Sequence, residues 1–311
     1  MTHPARPFEV VRSLDAQARD AVQTLTRAAT LADGHAPVAR RRLEQAVHAT
    51  APGFLAALAW DDHHSALVGY VQAVRSVGGW DVECATQPDM ADSREEPRYD
   101  LIAGLLSAVI NGLSAENDGD VRVWAYQAGE LDDRLAARLG LIATREIRQM
   151  RRRLPVEEHI RRSAAELDTR PFEVNHDEEA WLELNNRAFA LHPEQGRWGL
   201  ADLRAQQREP WFDADGFLLH DVGGRLAGFC WTKAHADAQP PLGEIYVIGV
   251  DPRHQTQGLG RALVLAGLDY LTRTGLTTAM LYVDATNTPA VSLYESLGFH
   301  VDHVDRVYHR V

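Results

Sequence analysis

The sequence lacks several features that would assign it to common classes of protein. It has only two cysteines in 311 residues, Cys84 and Cys230, and they lie far apart in the chain. This spacing predicts neither a metal pair nor a disulfide framework and favours a reducing compartment. No apolar run reaches the ~18 to 20 residues of a membrane span. The first residues also lack the apolar segment of a secretory signal, so we expect a cytoplasmic protein that does not bind membranes.

Positive charge is scarce, and lysine is almost absent. The chain has 44 acidic and 32 basic residues, a formal net charge of −12, and Lys233 is its single lysine. Nucleic acids and anionic membranes require clustered cations, so neither is expected as the main partner. The histidine pairs His63-His64 and His300/His303 have no further ligand at metal-binding spacing. We therefore expect no metal site.

The sequence contains an internal repeat, which predicts a duplicated domain. The motif Pro-Phe-Glu-Val at 7–10 recurs at 171–174, and the segment 121–150 overlays 280–308, so that Trp124 corresponds to Tyr282. We predict an N-terminal domain over 1–153, a charged helical linker over 154–170 and a C-terminal domain over 171–311. In the C-terminal domain, strand and helix patterns alternate, which predicts a mixed α/β layer. The predicted strands are 172–174, 216–220, 225–235, 244–250, 278–284 and 299–310, and the predicted helices are 177–190, 200–208, 258–274 and 288–297.

A glycine-rich turn in the C-terminal domain is the sharpest chemical signal. After the strand that ends at Val250, the sequence Gln257-Gly258-Leu259-Gly260-Arg261 opens an apolar helix. Glycines let a phosphate approach the backbone, and the free N–H groups of a first helical turn attract an anion. The third glycine of a dinucleotide fold and the Gly-Lys-Ser/Thr of a P-loop are absent. By itself the turn fits either a pyrophosphate site or a tight strand–helix connection.

A second motif accompanies this turn, with Asn287, Ala290, Tyr294 and Gly298-Phe299 at regular spacing. Together the two motifs resemble the GCN5-related N-acetyltransferase (GNAT) superfamily, and the repeat then implies two tandem GNAT-like domains. The resemblance implies acetyl-coenzyme A as acetyl donor, with the pyrophosphate on the backbone amides of 257–261. It also implies that the strand before the turn pairs with the pantetheine arm. The implied cofactor-binding residues are Ile248, Gly249, Val250, Gln255, Thr256, Gln257, Gly258, Leu259, Gly260, Arg261, Asn287, Thr288, Pro289, Ala290, Val291 and Ser292.

Acetyl transfer to an amine requires a base, because only the free amine attacks, and it benefits from an acid that protonates the departing thiolate. Glu244 begins the strand that leads to the turn. A two-residue period places it on one face with Tyr246, Ile248 and Val250, so we expect Glu244 to be the general base. We expect Tyr294 to be the general acid. The alternatives are an exposed glutamate at a strand start and a core aromatic residue on a helix face.

The chain resembles one family within this superfamily more closely, the mycothiol synthases of actinobacteria. The marks are His192-Pro193-Glu194-Gln195-Gly196, Trp231-Thr232-Lys233, the strand from Leu242 to Val250 and then Leu281-Tyr282-Val283. This resemblance implies acetylation of the cysteinyl amine of cysteinyl-glucosaminyl-inositol, a small thiol-sugar. We expect the protein to be a monomer. The lysine-poor, arginine-rich composition suits an actinobacterial source. The residues implied to hold the acceptor are Glu194, Lys233, Glu244 and Tyr282.

Two departures from the family pattern concern the N-terminal domain. Arg40 stands where the family has an acidic contact to the acceptor, and the stretch 82–100 contains carboxylates but no Gly-x-Gly. We therefore expect an N-terminal domain that keeps the fold without turnover. Two other functions remain open: an acetyltransferase of the same superfamily for another small amine or a protein N-terminus, and a non-catalytic sensor of coenzyme A.

Overall fold

The computed structural model describes residues 8–48, 53–88, 95–114, 119–190, 196–236, 238–255 and 258–310. These residues form two compact units. The first unit comprises described residues of 1–147 and 303–311, and the second comprises those of 148–302. The domain boundaries at 153 and 171 were predicted from the sequence repeat, whereas the two units are defined by contacts between residues. The predicted boundaries therefore remain a prediction.

The first unit is a mixed sheet with helices on both faces. Its strand order is β1, β2, β3, β4, β5, the 303–310 part of β12 and the 141–147 part of β6. The pairs β1–β2, β2–β3, β3–β4 and β5–β12 are antiparallel, and β4–β5 is parallel. Its elements are β1 (Glu9–Val11), α1 (Ala16–Asp33), α2 (Arg40–His48), β2 (Phe54–Trp60), β3 (Leu67–Ser76), β4 (Gly79–Thr86), α3 (Glu95–Ser114), β5 (Asp120–Ala125), α4 (Glu130–Arg138) and parts of β6 (Leu141–Arg153) and β12 (His300–Arg310).

Successive residues of the central strands of this unit enter different cores. Tyr70 on β3 packs with α1, while its neighbour Val71 packs with α3, because side chains alternate between the faces of a strand. Both faces of the sheet are therefore buried. Helix α1 begins at the cap Asp15, whose carboxylate accepts the Ala18 N–H at 2.8 Å, and it ends at Gly34 in the left-handed conformation.

The second unit has the strand order β6 (its 148–153 part), β11, β10, β9, β8, β7. Strands β10 and β11 are parallel, whereas β7–β8, β8–β9 and β9–β10 are antiparallel. Its other elements are α5 (Glu158–Arg161), β7 (Arg170–Pro171), α6 (Glu178–Ala188), α7 (Leu200–Gln207), β8 (Phe217–Val222), β9 (Arg225–His235), β10 (Leu242–Val250), a 3-10 turn (Pro252–His254), α8 (Leu259–Arg273), β11 (Thr278–Asp284) and α9 (Thr288–Ser296).

Most elements predicted for the C-terminal domain are confirmed. The hairpin turns at Gly223 and Gly224, whose φ values of 59° and 74° suit the tight reversal of twisted strands. The predicted strand 172–174 is wrong, because strand pairing covers only Arg170 and Pro171. Phe172 instead lies buried against Phe217, with ring centroids 4.5 Å apart. The apolar residue marks a core contact there, and the chain turns directly after it.

Two cores cover the faces of the second unit. Helices α8 and α9 bury one face with residues such as Leu263, Leu268 and Val291, and helices α6 and α7 bury the other with Trp181 and Leu203. The segment predicted as a linker contributes Leu154 and Val156 to the α8–α9 core. The apolar positions of this segment are therefore part of the packing of the second unit.

Strand β6 supplies buried polar and apolar groups to the same unit. Met150 is fully buried in the α8–α9 core, and the Arg152 side chain, 2% exposed, donates to the Leu297 carbonyl at the end of α9. Charged hydrogen bonds to the last carbonyls of a helix satisfy groups that have no partner within it. Within the described part of the chain, no helix is long and apolar enough to cross a membrane.

Candidate active site

A β-bulge in β10 determines which side chains face the candidate site. The β9–β10 register pairs Thr232 with Ile245 and Trp231 with Val247, so Tyr246 is an extra residue in β10. Consequently Tyr246 and Val247 both pack on the α6–α7 side, while Ile248 and Val250 pack on the α8–α9 side. The prediction that Glu244 shares a face with Ile248 and Val250 is wrong, because the bulge reverses the alternation between them.

Strands β10 and β11 separate beyond Glu244. Their parallel pairing joins Gly243 to Ala279 and Glu244 to Met280. In contrast, β10 remains paired with β9 up to Val250 opposite Gly228. No β10–β11 ladder pair follows Glu244 among the described residues, so one edge of 247–250 keeps backbone groups for another partner. This is the edge predicted to pair with a pantetheine arm.

The turn after β10 leads into the N-terminus of α8. Gly258 caps this helix with φ 80°, a conformation that favours glycine. The first helical hydrogen bond runs from the Ala262 N–H to the Gly258 carbonyl, so the amides of Leu259, Gly260 and Arg261 precede it. Among the described residues, the atoms nearest to a Cβ on Gly260 would be 3.9 Å away. The phosphate cradle predicted at 257–261 therefore has, in its described part 258–261, backbone donors without a described partner and open space at Gly260. The predicted residues Thr256 and Gln257 lie outside the described residues.

Other predicted cofactor residues have structural roles as well. A Cβ on Gly249 would lie 2.5 Å from the Phe229 ring, so packing alone requires glycine there. The Arg261 guanidinium donates to the Ser163 and Ser296 hydroxyls at 2.8 and 2.7 Å, which leaves its backbone N–H as the group at the cradle. Ile248 and Val250 lie partly buried against the α8–α9 core.

Asp251 organises the turn, and the sequence reasoning missed it. Its side chain is 1% exposed and accepts from the Arg253 N–H, from the Arg253 guanidinium and from Arg187 at 2.9 to 3.0 Å. Hydrogen bonds from Arg253 hold the pKa of the Asp251 carboxyl well below its usual value. The signal in the sequence was Asp-Pro-Arg directly after a strand, a pattern typical of an aspartate that caps a turn.

Helix α9 carries the second predicted motif. The Asn287 side chain accepts the Ala290 N–H at 3.3 Å and caps this helix, with Thr288 and Pro289 in the first turn. Val291 is buried, and Ala290 packs against the same core. Asn287 to Ser292 thus form the beginning of one helix, as the motif predicts. Their contact with a cofactor remains a prediction.

Tyr294 and Cys230 lie in the α8–α9 core. Tyr294 is 7% exposed and packs edge-on against Phe299 at 5.9 Å between ring centroids. Burial raises the pKa of the Tyr294 hydroxyl, so the hydroxyl keeps its proton as a general acid must. Burial also raises the pKa of the Cys230 thiol to about 12. Cys230 is therefore a packed thiol and not a nucleophile.

Glu244 is buried at the point where β10 and β11 separate. The residue is 7% exposed, and its Oε2 lies 2.7 Å from Nε2 of His235, whose side chain is 30% exposed. The alternative of an exposed glutamate at a strand start is therefore wrong. Nothing in the sequence pattern singled out His235, which follows Lys233 by two positions on β9 and so lies on the same face.

Lys233 lies on aromatic rings beside this pair. Its Nζ is 4.5 Å from the centroid of Trp211 and 5.2 Å from that of Tyr246. The Tyr246 hydroxyl is 3.4 Å from Oε1 of Gln206 on α7. The structure therefore brings Lys233 and Glu244 to one face of the sheet, as the acceptor prediction requires.

Tyr282 is placed by a residue outside the predicted site. In β11 it lies two positions after Met280, the register partner of Glu244, and is therefore on the same face. Tyr282 is 46% exposed, and its hydroxyl accepts from the Gln149 amide at 2.7 Å. Gln149 is buried and in turn accepts from Arg151. The fourth predicted acceptor residue, Glu194, lies outside the described residues.

The first unit has carboxylates in the comparable strand, but its own arginines pair with them. Asp81 is the register partner of Arg122 across β4–β5, as Glu244 is of Met280 across β10–β11. Arg122 donates to Asp81 at 2.8 Å, and Arg42 donates to the fully buried Glu83 at 2.7 Å. Burial acts to raise the pKa of Asp81, but the charge of Arg42, hydrogen bonds from Trp124 and Ser76, and the charge of Arg122 together outweigh it and lower that pKa.

Arg40, the first departure from the family pattern, pairs with Glu44 on the exposed surface of α2. In the part of the chain that the structure describes, no group of three or more His, Cys, Asp or Glu side chains could hold a metal ion.

Known proteins share this fold. Residues 166–299 match the model of the acetyltransferase (GNAT) family. A GCN5-related N-acetyltransferase from Sphaerobacter thermophilus has a TM-score of 0.69 at 22% identity, over 99% of this chain and 96% of that one. A tandem GNAT protein from the clavulanic acid biosynthesis pathway has a TM-score of 0.63 at 16% identity, over 97% and 98%. These likenesses confirm the predicted mixed α/β fold of tandem GNAT type, and the family match gives the class of residues 166–299, a GNAT acetyltransferase domain.

Closer relatives refine this class. A mycothiol acetyltransferase of Acidimicrobium ferrooxidans is 41% identical over 289 residues, which is 91% of each chain. One of Thermobispora bispora is 41% identical over 295 residues, which is 94% of this chain and 96% of the relative. The chain belongs to the mycothiol acetyltransferase family.

Proposed function

We propose that this enzyme transfers the acetyl group of acetyl-coenzyme A to the cysteinyl amine of cysteinyl-glucosaminyl-inositol, the last step of mycothiol biosynthesis. The observation that carries the proposal is the position of Glu244. It is the last residue of β10 that pairs with β11, and the glycine cradle follows the far end of the same strand. At ~3.3 Å per residue, the strand from Glu244 to Val250 is about 20 Å long. That length suits an extended pantetheine arm between a phosphate site and a base.

The described residues fit acetyl-coenzyme A as the donor. The amides of Leu259, Gly260 and Arg261 are the donors that would hold the pyrophosphate, and the free edge of 248–250 would pair with the arm. The bound coenzyme supplies an activated acetyl thioester. Arg261 contributes through its backbone, because its guanidinium is already bonded to two serines.

Glu244 accepts the proton that the acceptor ammonium must lose before its nitrogen attacks. One carboxylate oxygen is bonded to His235, and the other has no hydrogen-bond partner among the residues the structure describes, so it can contact the acceptor or a bridging water. Tyr294 retains its proton because of burial and donates it to the thiolate that departs. The acceptor is a polyol with one ammonium group, so a carboxylate, a lysine and a tyrosine on one face suit its charge and hydroxyls. We assign these acceptor contacts to Glu244, Lys233, Tyr282 and Glu194.

The N-terminal domain is proposed to have no turnover of its own. A base must be able to accept a proton, and both candidate carboxylates, Asp81 and Glu83, are held by Arg122 and Arg42. An arginine paired in this way also occupies the place of a substrate cation. Catalysis is therefore assigned to the C-terminal domain alone.

A thiol-release assay tests the substrate. Purified enzyme with acetyl-coenzyme A is offered cysteinyl-glucosaminyl-inositol, free glucosaminyl-inositol without the cysteine, a polyamine and a peptide with a free N-terminus. We expect the cysteinyl compound to have the highest kcat/KM and the compound without cysteine to be inert. Preference for the polyamine or the peptide would exclude the mycothiol assignment and leave the N-acetyltransferase class intact.

A further inference from the structure

Two opposite charges in the site face each other across neighbouring strands without pairing. Lys233 on β9 and Glu244 on β10 are register partners, and residues in such positions lie on one face with their side chains adjacent. Opposite charges placed in this way normally attract each other. Among the described residues, however, no ion pair joins Lys233 to Glu244. The carboxylate is bonded to His235, and the ammonium lies over Trp211 and Tyr246.

The aromatic pair that takes the ammonium is itself held in place. Trp211 and Tyr246 meet edge to face with ring centroids 5.0 Å apart, and both contact Trp231, which is fully buried. Tyr246 lies on the Glu244 face by the ordinary alternation of a strand, and the bulge that follows adds Val247 to the same face. A cation over an aromatic ring gains about as much free energy as a solvent-screened ion pair. The rings can therefore compete with Glu244 for the lysine.

We propose that Trp211 and Tyr246 are positioning residues that hold the Lys233 ammonium away from Glu244 and so keep this carboxylate available as the base. The inference rests on the proposed function, because it takes Glu244 as the residue that accepts the proton. A lysine bonded to Glu244 would occupy the carboxylate oxygen that the acceptor amine or a bridging water needs. It would also repel the ammonium group of the acceptor before that group could lose its proton. The same lysine, held on the rings, can donate hydrogen bonds to acceptor hydroxyls instead.

Removal of the indole tests this arrangement. Trp211→Leu should release Lys233 to Glu244 and lower kcat about tenfold, which is less than the roughly 100- to 10,000-fold lost when a general base is removed entirely, while KM for acetyl-coenzyme A stays within about twofold. Trp211→Phe is the matched control, because it retains a ring under the ammonium and should keep most of kcat. The decisive comparison repeats Trp211→Leu in a Lys233→Met background. Because this background has no ammonium to release, the kcat of the double variant should lie within about twofold of the kcat of Lys233→Met alone.

Each outcome decides between a positioning role and a structural one. If Trp211→Leu lowers kcat equally with and without Lys233, the indole serves packing and the inference is overturned. The same holds if the leucine variant keeps full kcat. A melting temperature for every variant shows whether the fold is retained, and Tyr246→Leu, expected to show the same dependence on Lys233, serves if Trp211→Leu does not fold. Glu244→Gln is measured alongside. Full activity of Glu244→Gln would show that Glu244 is not the base and would refute the proposed role on which this inference rests. A large loss of kcat in Glu244→Gln, with no change of kcat in Trp211→Leu, would refute this inference alone.

Discussion

Gly260 offers the cleanest test of the phosphate cradle. The structure separates it from Gly258, whose φ of 80° would strain any substituted side chain whatever the ligand does. Gly260 lies inside the first turn of α8, and the described side chains nearest to a Cβ there are Leu293 and Val250, each at 3.9 Å. A substitution at Gly260 can therefore change the charge of the cradle with little effect on packing.

The expected magnitude follows from charge and distance. Gly260→Asp adds a carboxylate beside the amides that would hold a pyrophosphate. At ~4 Å and an effective dielectric constant of ~20, one pair of like charges repels by about 4 kcal/mol. We take half of this as a conservative value for a partly exposed site, about 2 kcal/mol, which weakens binding roughly 30-fold. The fold should not weaken, since an acidic residue in the first turn of a helix stabilises it by about 0.3–1 kcal/mol.

Calorimetric titration with coenzyme A, together with thermal melts, measures both effects. Gly260→Ala is the matched control, with Kd within about threefold of the wild type, because the methyl group carries no charge. We expect Gly260→Asp to bind coenzyme A at least 30-fold more weakly with an unchanged or higher Tm. Wild-type affinity in the aspartate variant would refute the cradle assignment. Equal weakening by alanine and aspartate would refute the electrostatic part of the reasoning.

Four further predictions concern the site and its support. Glu244→Gln should lower kcat most near neutral pH and less at high pH, where more of the acceptor is already deprotonated, and a pH–rate profile that is unchanged would place the base elsewhere. Lys233→Ala and Glu194→Ala should each raise KM for the cysteinyl acceptor, a loss of about 1–3 kcal/mol in binding free energy, with KM for acetyl-coenzyme A nearly unchanged in steady-state kinetics. A rise in KM for acetyl-coenzyme A would contradict the acceptor role. Tyr294→Phe should lower kcat at least tenfold without weakening coenzyme binding, and retention of kcat would exclude the hydroxyl as general acid. Asp251→Asn should destabilise the protein by about 1–3 kcal/mol in urea unfolding at neutral pH. Because the folded-state pKa of this carboxyl lies below its ordinary value of 3.8, its contribution is present above that pH and is lost as the pH falls through the folded pKa, so the difference between variant and wild type should shrink in acid.

The sequence alone predicted those turns and helices that depend on residues close together in the chain. The predicted strands 216–220 and 225–235 meet at Gly223 and Gly224, and the predicted helix start falls at Gly258; all three glycines have positive φ, which few other residues adopt. Apolar periodicity predicted α8 and α9 within one or two residues, since their buried faces follow the helical repeat. Paired motifs at fixed spacing predicted the superfamily, and the relatives confirm it.

Only the tertiary structure decided which side chains share a face and which charges pair. The bulge at Tyr246 adds one residue to β10, and no strict alternation rule can anticipate where a strand gains a residue. The partners of Glu244 and Lys233 were also beyond the sequence. As register partners on β9 and β10, Lys233 and Glu244 should attract each other. Instead Glu244 pairs with His235, and Lys233 lies over Trp211 from an earlier segment of the chain. Such choices depend on competing contacts between segments distant in sequence, and only the folded chain brings those segments within reach of one another.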